Sequence, residues 1–211
     1  MMVIRYTNNS FWYLDDALFE NNNTINGFRS QIAAEFQRSK DDFSTHFKAN
    51  YYNDVNNNYK QLPPFWLIAE LTTLGNITSI YQSINKKSFG IAPNNRLDLL
   101  AKEFGASNLK DLNNWILCIR DLRNRCAHHS RVWNSNYRNP SNINNLSLIP
   151  PSHPNRIYSL LILIQHICKN LNINTNIKHE IKYQLFTSPA VLPLINSAGF
   201  PTNWDTDPFW Q

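Results

Sequence analysis

The stretch from residue 120 to residue 134 carries the side chains best suited to chemistry. Arg120, Asn124 and His128 recur every four residues, which places them on one side of an α-helix that turns by about 100° per residue. The planar guanidinium group of arginine suits phosphate, and histidine exchanges a proton near neutral pH. Phosphodiester cleavage needs both abilities, so this spacing predicts phosphate chemistry.

The same stretch concentrates positive charge. Its arginines have Asp121 as their one acidic neighbour, and crowded guanidinium groups repel one another unless an anion or a carboxylate compensates. The cluster therefore favours an anionic partner. A solvated helix face without catalytic function is the competing interpretation, and it is the commoner origin of such clusters. The arginines are Arg120, Arg123, Arg125 and Arg131.

Other kinds of site find little support in the sequence. His128 and His129 are adjacent, so their side chains would point about 100° apart on a helix, and no cysteine or carboxylate lies at the usual zinc-ligand spacing. We expect Cys126 to face the core, where thiols are inert. No glycine-rich phosphate loop or dinucleotide motif is present. The sequence thus predicts neither a metal nor a cofactor.

A helix over residues 109–129 must position these groups. Its predicted core-facing stripe is Trp115, Ile119, Leu122 and Cys126. The rest of the chain also has helical patterns, and residues 62–81 predict a buried central helix. No sustained apolar–polar alternation indicates strands, so we predict an all-α fold with the aromatic tail at 200–210 packed on it as a strap. The other predicted helices cover 27–36, 42–52, 96–104, 155–171, 179–186 and 189–197.

Composition sets the class of protein. The chain has 211 residues, 42% of them hydrophobic, which is enough for a core and excludes general disorder. The net charge of +5 favours an anionic partner only weakly.

Cys118 and Cys126 would lie about 12 Å apart along one helix, too far for a disulfide. The odd cysteine count, with no signal peptide or membrane-length apolar run, predicts a cytoplasmic protein without membrane contact.

Three segments together carry a family resemblance. Residues 123–128, Arg-Asn-Arg-Cys-Ala-His, fit the R-x-x-x-x-H signature of HEPN-domain ribonucleases, and their extension to Asn134 resembles the Abi-like (AbiD/AbiF) family of bacterial abortive-infection proteins. Residues 62–75 resemble the central helix of that family, and 199–210 resemble its C-terminal signature. The resemblance covers 28–211 as a HEPN-like Abi domain. Residues 1–27 are then a short leader where the family usually has a longer helical region.

The resemblance implies a phage-defence endoribonuclease, toxic when unrestrained as in a toxin–antitoxin system. Its fold would be a HEPN-like helical bundle that forms a homodimer, with two motifs facing one cleft. Cleavage would be metal-independent, through attack of an RNA 2′-OH on the adjacent phosphate. His128 would act as general base or acid, Arg123 would stabilise the phosphate charge, and Asn124 would orient the imidazole or contact RNA.

Further residues follow as secondary candidates. Arg120, Arg125 and Arg131 would dock RNA electrostatically. Trp133 would stack on a base, although packing against the bundle is the favoured interpretation of this aromatic residue.

Two more residues could belong to the site, but each also has a purely structural interpretation. His129 is either part of the site or a cation favoured by the C-terminal helix dipole. Glu70, a lone acid in an apolar segment, is expected to be partly buried and to need a cation. It would either orient Arg123 or His128, or form an ion pair that fixes helix register.

Two functions of other classes remain open from the sequence. The protein could be a non-catalytic RNA-binding module that works with a structured small RNA. It could also be a helical protein-interaction or antitoxin-type domain whose basic face meets an acidic partner. The salt dependence of RNA binding separates these two functions, because phosphate contacts release counterions. Salt-insensitive or absent RNA binding would favour the protein-interaction domain.

Overall fold

A computed structural model describes residues 2–51 and 62–211. These residues contain nine α-helices and no β-strand, which confirms the predicted all-α class. The chain divides into two compact units, Met1–Arg96 and Leu97–Gln211. Among the described helices, none combines the length and the apolar character that a membrane crossing requires.

The helices are numbered in chain order. Those of the first unit are α1 (Met2–Thr7), α2 (Asn22–Arg38), α3 (Asp42–Asn50), α4 (Phe65–Leu71) and α5 (Leu74–Gln82). Those that follow are α6 (Arg96–Glu103), α7 (Leu109–Ala127), α8 (Ile157–Asn170) and α9 (Ile177–Leu185). Tyr52, the predicted last residue of α3, lies outside the described residues.

The first unit is organised by α2. The helix starts at Asn22, ahead of the predicted start at Gly27, because the Asn21 side chain accepts the backbone N–H of Asn23 and caps it. The loop before it is held by Tyr13, whose hydroxyl donates to the Pro63 carbonyl at 2.6 Å. The apolar side of α2 is buried at helical spacing, through Ile25, Phe28, Ile32 and Phe36.

The predicted buried helix over 62–81 is wrong, because the chain breaks it into α4 and α5. Thr72 and Thr73 have extended backbone angles. The Thr73 hydroxyl accepts the N–H of Asn76, so it caps α5 and competes with continuation of the helix. The segment is also less buried than predicted, since Trp66 is 53% exposed and Leu74 is 38% exposed.

The second unit is built on the packing of α7 against α8. Leu112, Trp115 and Cys118 are the buried apolar residues of α7, and the Trp115 indole N–H donates to the Ser141 carbonyl at 2.9 Å. Asn108 caps the start of α7 by accepting the Asp111 N–H. The buried residues of α8 are Ile157, Tyr158, Ser159, Leu160, Ile162, Leu163 and Gln165.

The aromatic tail packs onto α8 as predicted. The Tyr158 ring lies 4.5 Å from that of Phe200, 6.2 Å from that of Trp204 and 5.9 Å from that of Trp210, between ring centroids. The Trp210 indole N–H donates to the Tyr158 hydroxyl at 3.3 Å. Burial raises the pKa of Tyr158 to about 12, so its hydroxyl stays neutral inside this cluster.

The predicted helix over 189–197 is wrong. This segment forms two short 3-10 turns, Leu192–Leu194 and Asn196–Ala198. Pro193 has no N–H to donate to an α-helical hydrogen bond, which explains why no longer helix forms. The remaining predicted helices are present, with ends shifted by a few residues.

Candidate functional site

The polar residues of the motif occupy the last two turns of α7. The helix ends at Ala127, two residues before the predicted end at His129. His128 is the capping residue, and its backbone N–H donates to the Asn124 carbonyl at 3.0 Å. The His128 side chain is exposed. The imidazole therefore stands at the end of a fixed helix, where solvent and a ligand can reach it.

The backbone after His128 closes the helix with a pair of hydrogen bonds. The His129 N–H donates to the Cys126 carbonyl at 3.2 Å, and the Ser130 N–H donates to the Arg125 carbonyl at 2.8 Å. His129 has a φ of 50°, in the left-handed region that usually belongs to glycine at this position. The backbone of His129 is thus held in a costly conformation directly after His128.

An open cavity of about 380 Å³ lies beside the end of α7. Its helical wall consists of residues spaced three, four and seven apart, which is one face of a helix. These residues are Asp121, Asn124, Arg125 and His128. Two predicted catalytic residues, Asn124 and His128, therefore share this cavity.

The rest of the cavity lining comes from the loop after α7. Its lining residues are Ser130, Asn136, Tyr137 and Arg138. Sequence reasoning missed these residues because the loop has no periodic pattern. Its asparagines and Pro140 are residues typical of turns, and a turn does not reveal which side chains will meet α7.

Arg125 holds this loop against the helix. Its guanidinium group donates to the Arg131 carbonyl at 3.3 Å and to the Asn136 carbonyl at 3.2 Å. It also lies 5.0 Å from the centroid of the Tyr137 ring. Burial raises the pKa of Tyr137, and the positive charge of Arg125 partly opposes that rise. Arg125 lines the cavity, but several of its N–H groups serve the protein itself.

Arg123 lies apart from His128 on the helix. His128 is the fifth residue after Arg123, a rotation of about 140°, and Arg123 is not among the residues that line the cavity. Its side chain is exposed and donates to the side-chain oxygen of the neighbouring Asn124 at 3.3 Å. One subunit therefore does not place both ends of the R-x-x-x-x-H motif in this cavity.

The other predicted RNA-binding residues differ in their surroundings. Arg120 forms an ion pair with Asp121 at 3.5 Å, and Arg131 is exposed. The Trp133 ring stacks on Phe200, with centroids 6.0 Å apart and planes 21° apart. The half-buried Trp133 packs against the core, in line with the interpretation favoured from the sequence.

The expectation that Glu70 is partly buried is wrong, because Glu70 is exposed. The buried residues of α4 are Phe65 and Ile68. Glu70 follows Ile68 by two residues, a rotation of about 200°, which turns it to the opposite side of this short helix. Its predicted pairing with Arg123 or His128 stays a prediction.

The expectation that Cys126 faces the core is also wrong, because Cys126 is exposed. Burial of α7 stops with Cys118, whose pKa is raised to about 12 by that burial. Ile119 and Leu122 are partly buried against the core. The last turn of α7 extends beyond the part of the helix that is buried in the core, so Cys126 is not buried with the rest of the predicted stripe.

The chain resembles a known protein family. A family model described as Abi-like protein matches residues 1–134, which is more than half of the chain. The match includes residues 1–27 and the whole R-x-x-x-x-H motif, and it ends at Asn134. Residues 199–210 lie beyond it. No curated protein and no solved structure matches the chain. In the described residues, no group of three histidine, cysteine or acidic side chains is placed to hold a metal ion.

Proposed function

Because the chain belongs to the Abi-like protein family, we propose that it is an endoribonuclease whose site lies at the end of α7. Membership of this family indicates a role in abortive infection, a form of phage defence. The observation that supports RNA cleavage is that His128 and Asn124 line an open cavity with Arg125 and Arg138. Such a cavity offers a proton-transfer group and the guanidinium group of Arg138, which suits phosphate, together with the carboxylate of Asp121.

The reaction proceeds within the RNA strand. The ribose 2′-oxygen bonds to the adjacent phosphorus, and the bond from phosphorus to the 5′-oxygen of the next nucleotide breaks. A base removes the 2′-OH proton, and an acid protonates the leaving 5′-oxygen. The products are a 2′,3′-cyclic phosphate and a 5′-OH end. His128 acts as base or acid, and Asn124 lies one turn before it to orient the imidazole or the RNA.

Two subunits supply the complete site in this proposal. Arg123 does not line the cavity of its own His128, so the guanidinium group that stabilises the phosphate comes from the second subunit. A two-fold dimer that joins the ends of two α7 helices would bring the two motifs together. Light scattering should therefore find a dimer, and a protein that stays monomeric with and without RNA would contradict this arrangement.

Cleavage of labelled RNA in EDTA tests the proposal. We expect wild-type protein to cleave, and Arg123→Ala and His128→Ala each to lose activity by about 10²- to 10⁴-fold. His153→Ala is the matched control, because it removes another exposed histidine of the same unit, outside the cavity. Absence of cleavage by wild type, or equal activity in all four proteins, would refute the nuclease.

A second candidate, the non-catalytic RNA-binding module, draws on the exposure of Arg123 and Arg131. Two exposed arginines near the end of α7 can contact phosphates without any proton transfer. In the same experiment this function predicts salt-dependent RNA binding by wild type and no cleavage under any condition. His128→Ala would then bind RNA as tightly as wild type.

A further inference from the structure

Arg138 differs from the other arginine of the cavity. Its backbone carbonyl accepts a hydrogen bond from the Cys118 thiol, between Sγ and O at 3.5 Å. Its guanidinium group makes no hydrogen bond or ion pair with any residue that the structure describes. Arg125, by contrast, donates to two backbone carbonyls. The five N–H groups of Arg138 are therefore available to a ligand.

The backbone at Arg138 is fixed although its side chain is exposed. The preceding residue, Tyr137, is buried, its N–H donates to the Asn155 carbonyl at 2.9 Å, and its hydroxyl donates to the Val132 carbonyl at 2.9 Å. The thiol of Cys118 binds the Arg138 carbonyl from the α7 side. Because the backbone is already fixed, only the Arg138 side chain has to be ordered when a ligand binds.

The cavity is large enough for more than one phosphate oxygen. At about 380 Å³ it lies in the size range of small-ligand pockets. Besides His128 and Arg138 it offers the amide of Asn124 and the hydroxyl of Ser130. Asp121 also lines it, with its carboxylate paired to Arg120 at 3.5 Å. These groups suit a sugar or a base edge between two phosphates.

We propose that Arg138 binds the phosphate next to the one on which His128 acts, and so forms a nucleotide subsite within one subunit. The inference rests on the proposed function, and it assigns Arg138 to substrate binding rather than to proton transfer. A guanidinium group takes a phosphate through two parallel hydrogen bonds. Loss of Arg138 should then raise KM and leave kcat nearly unchanged.

Binding is measured without cleavage by using an RNA oligonucleotide methylated at every 2′-oxygen, which lacks the attacking hydroxyl. Fluorescence anisotropy at several salt concentrations gives the slope of log affinity against log salt. We expect Arg138→Gln to weaken binding about tenfold and to reduce the slope by about 0.7, the value for one phosphate contact of a single strand. Arg138→Lys should keep the slope and lose only part of the affinity.

Lys110→Gln is the matched control, because it removes an exposed positive charge of the same unit, at the start of α7 and outside the cavity. It should leave the slope unchanged. Circular dichroism verifies that each variant is folded.

The outcomes separate the two proposals. If wild type binds and cleaves RNA but Arg138→Gln behaves like Lys110→Gln, the subsite is refuted and the nuclease stands. If Arg138→Gln lowers kcat and leaves KM unchanged, the binding assignment is refuted. If wild type neither binds nor cleaves RNA, the proposed function fails and the subsite fails with it.

Discussion

The ends of α6 and α7 use the same backbone turn with different residues. After α6, the Gly105 N–H donates to the Lys102 carbonyl at 2.9 Å and the Ala106 N–H to the Ala101 carbonyl at 2.9 Å. The corresponding bonds after α7 come from His129 and Ser130. Gly105 has a φ of 81° and His129 a φ of 50°. Glycine takes such angles freely, whereas a residue with a Cβ takes them at a cost.

The difference lies in what surrounds each turn. A Cβ atom on Gly105 would meet the side-chain nitrogens of His166 and Asn170, so any other residue there must displace both side chains. His129, by contrast, is exposed. A strained backbone that no packing contact requires is typical of functional positions. From this comparison we predict a role for His129 at the site, beside its neighbour His128.

Gly105→Ala should have the largest effect on stability. The new Cβ would displace His166, whose Nε2 lies 3.1 Å from the Gly105 carbonyl oxygen and whose ring packs edge-on against Trp115. The left-handed backbone adds its own cost. We expect a loss of about 2 to 3 kcal/mol in the free energy of unfolding, measured by urea denaturation. A loss below about 0.5 kcal/mol would show that packing does not demand glycine at this turn.

The sequence predicts those parts of α6, α7 and the cavity that depend on local patterns, and not those that depend on contacts between distant residues. The start of α7 follows from local pattern, as does the core packing of Trp115, Ile119 and Leu122, whereas Cys126 of the same predicted stripe is exposed. The end of α6 follows from Gly105, a standard stop signal. His129 gives no such signal, so the predicted end of α7 is two residues late. The cavity wall at Asn136–Arg138 depends on hydrogen bonds that Arg125 makes after the chain folds back. No local periodicity encodes that contact.

His129→Gly should raise stability and weaken function. Glycine relieves the left-handed strain, partly offset by its greater freedom in the unfolded chain, so we expect a gain of about 1 kcal/mol in the free energy of unfolding. RNA affinity should fall a few-fold, because the imidazole beside His128 is lost.

His129→Asn serves as the matched control for this change. Asparagine tolerates the same backbone but lacks the imidazole, so it separates the backbone effect from the loss of the side chain. Unchanged RNA affinity in both variants would make His129 a purely structural part of the turn.

Asn172 extends the comparison to the end of α8, where the effect should be smallest. Its φ is 55°, its N–H donates to the Lys169 carbonyl at 3.1 Å, and the Ile173 N–H donates to the Cys168 carbonyl at 2.8 Å. Asparagine visits this region more readily than other non-glycine residues. Asn172→Gly should therefore change the free energy of unfolding by less than about 0.5 kcal/mol and leave RNA binding unchanged. A gain as large as that of His129→Gly would mean that α7 carries no special strain, and the argument from His129 to function would lose its basis.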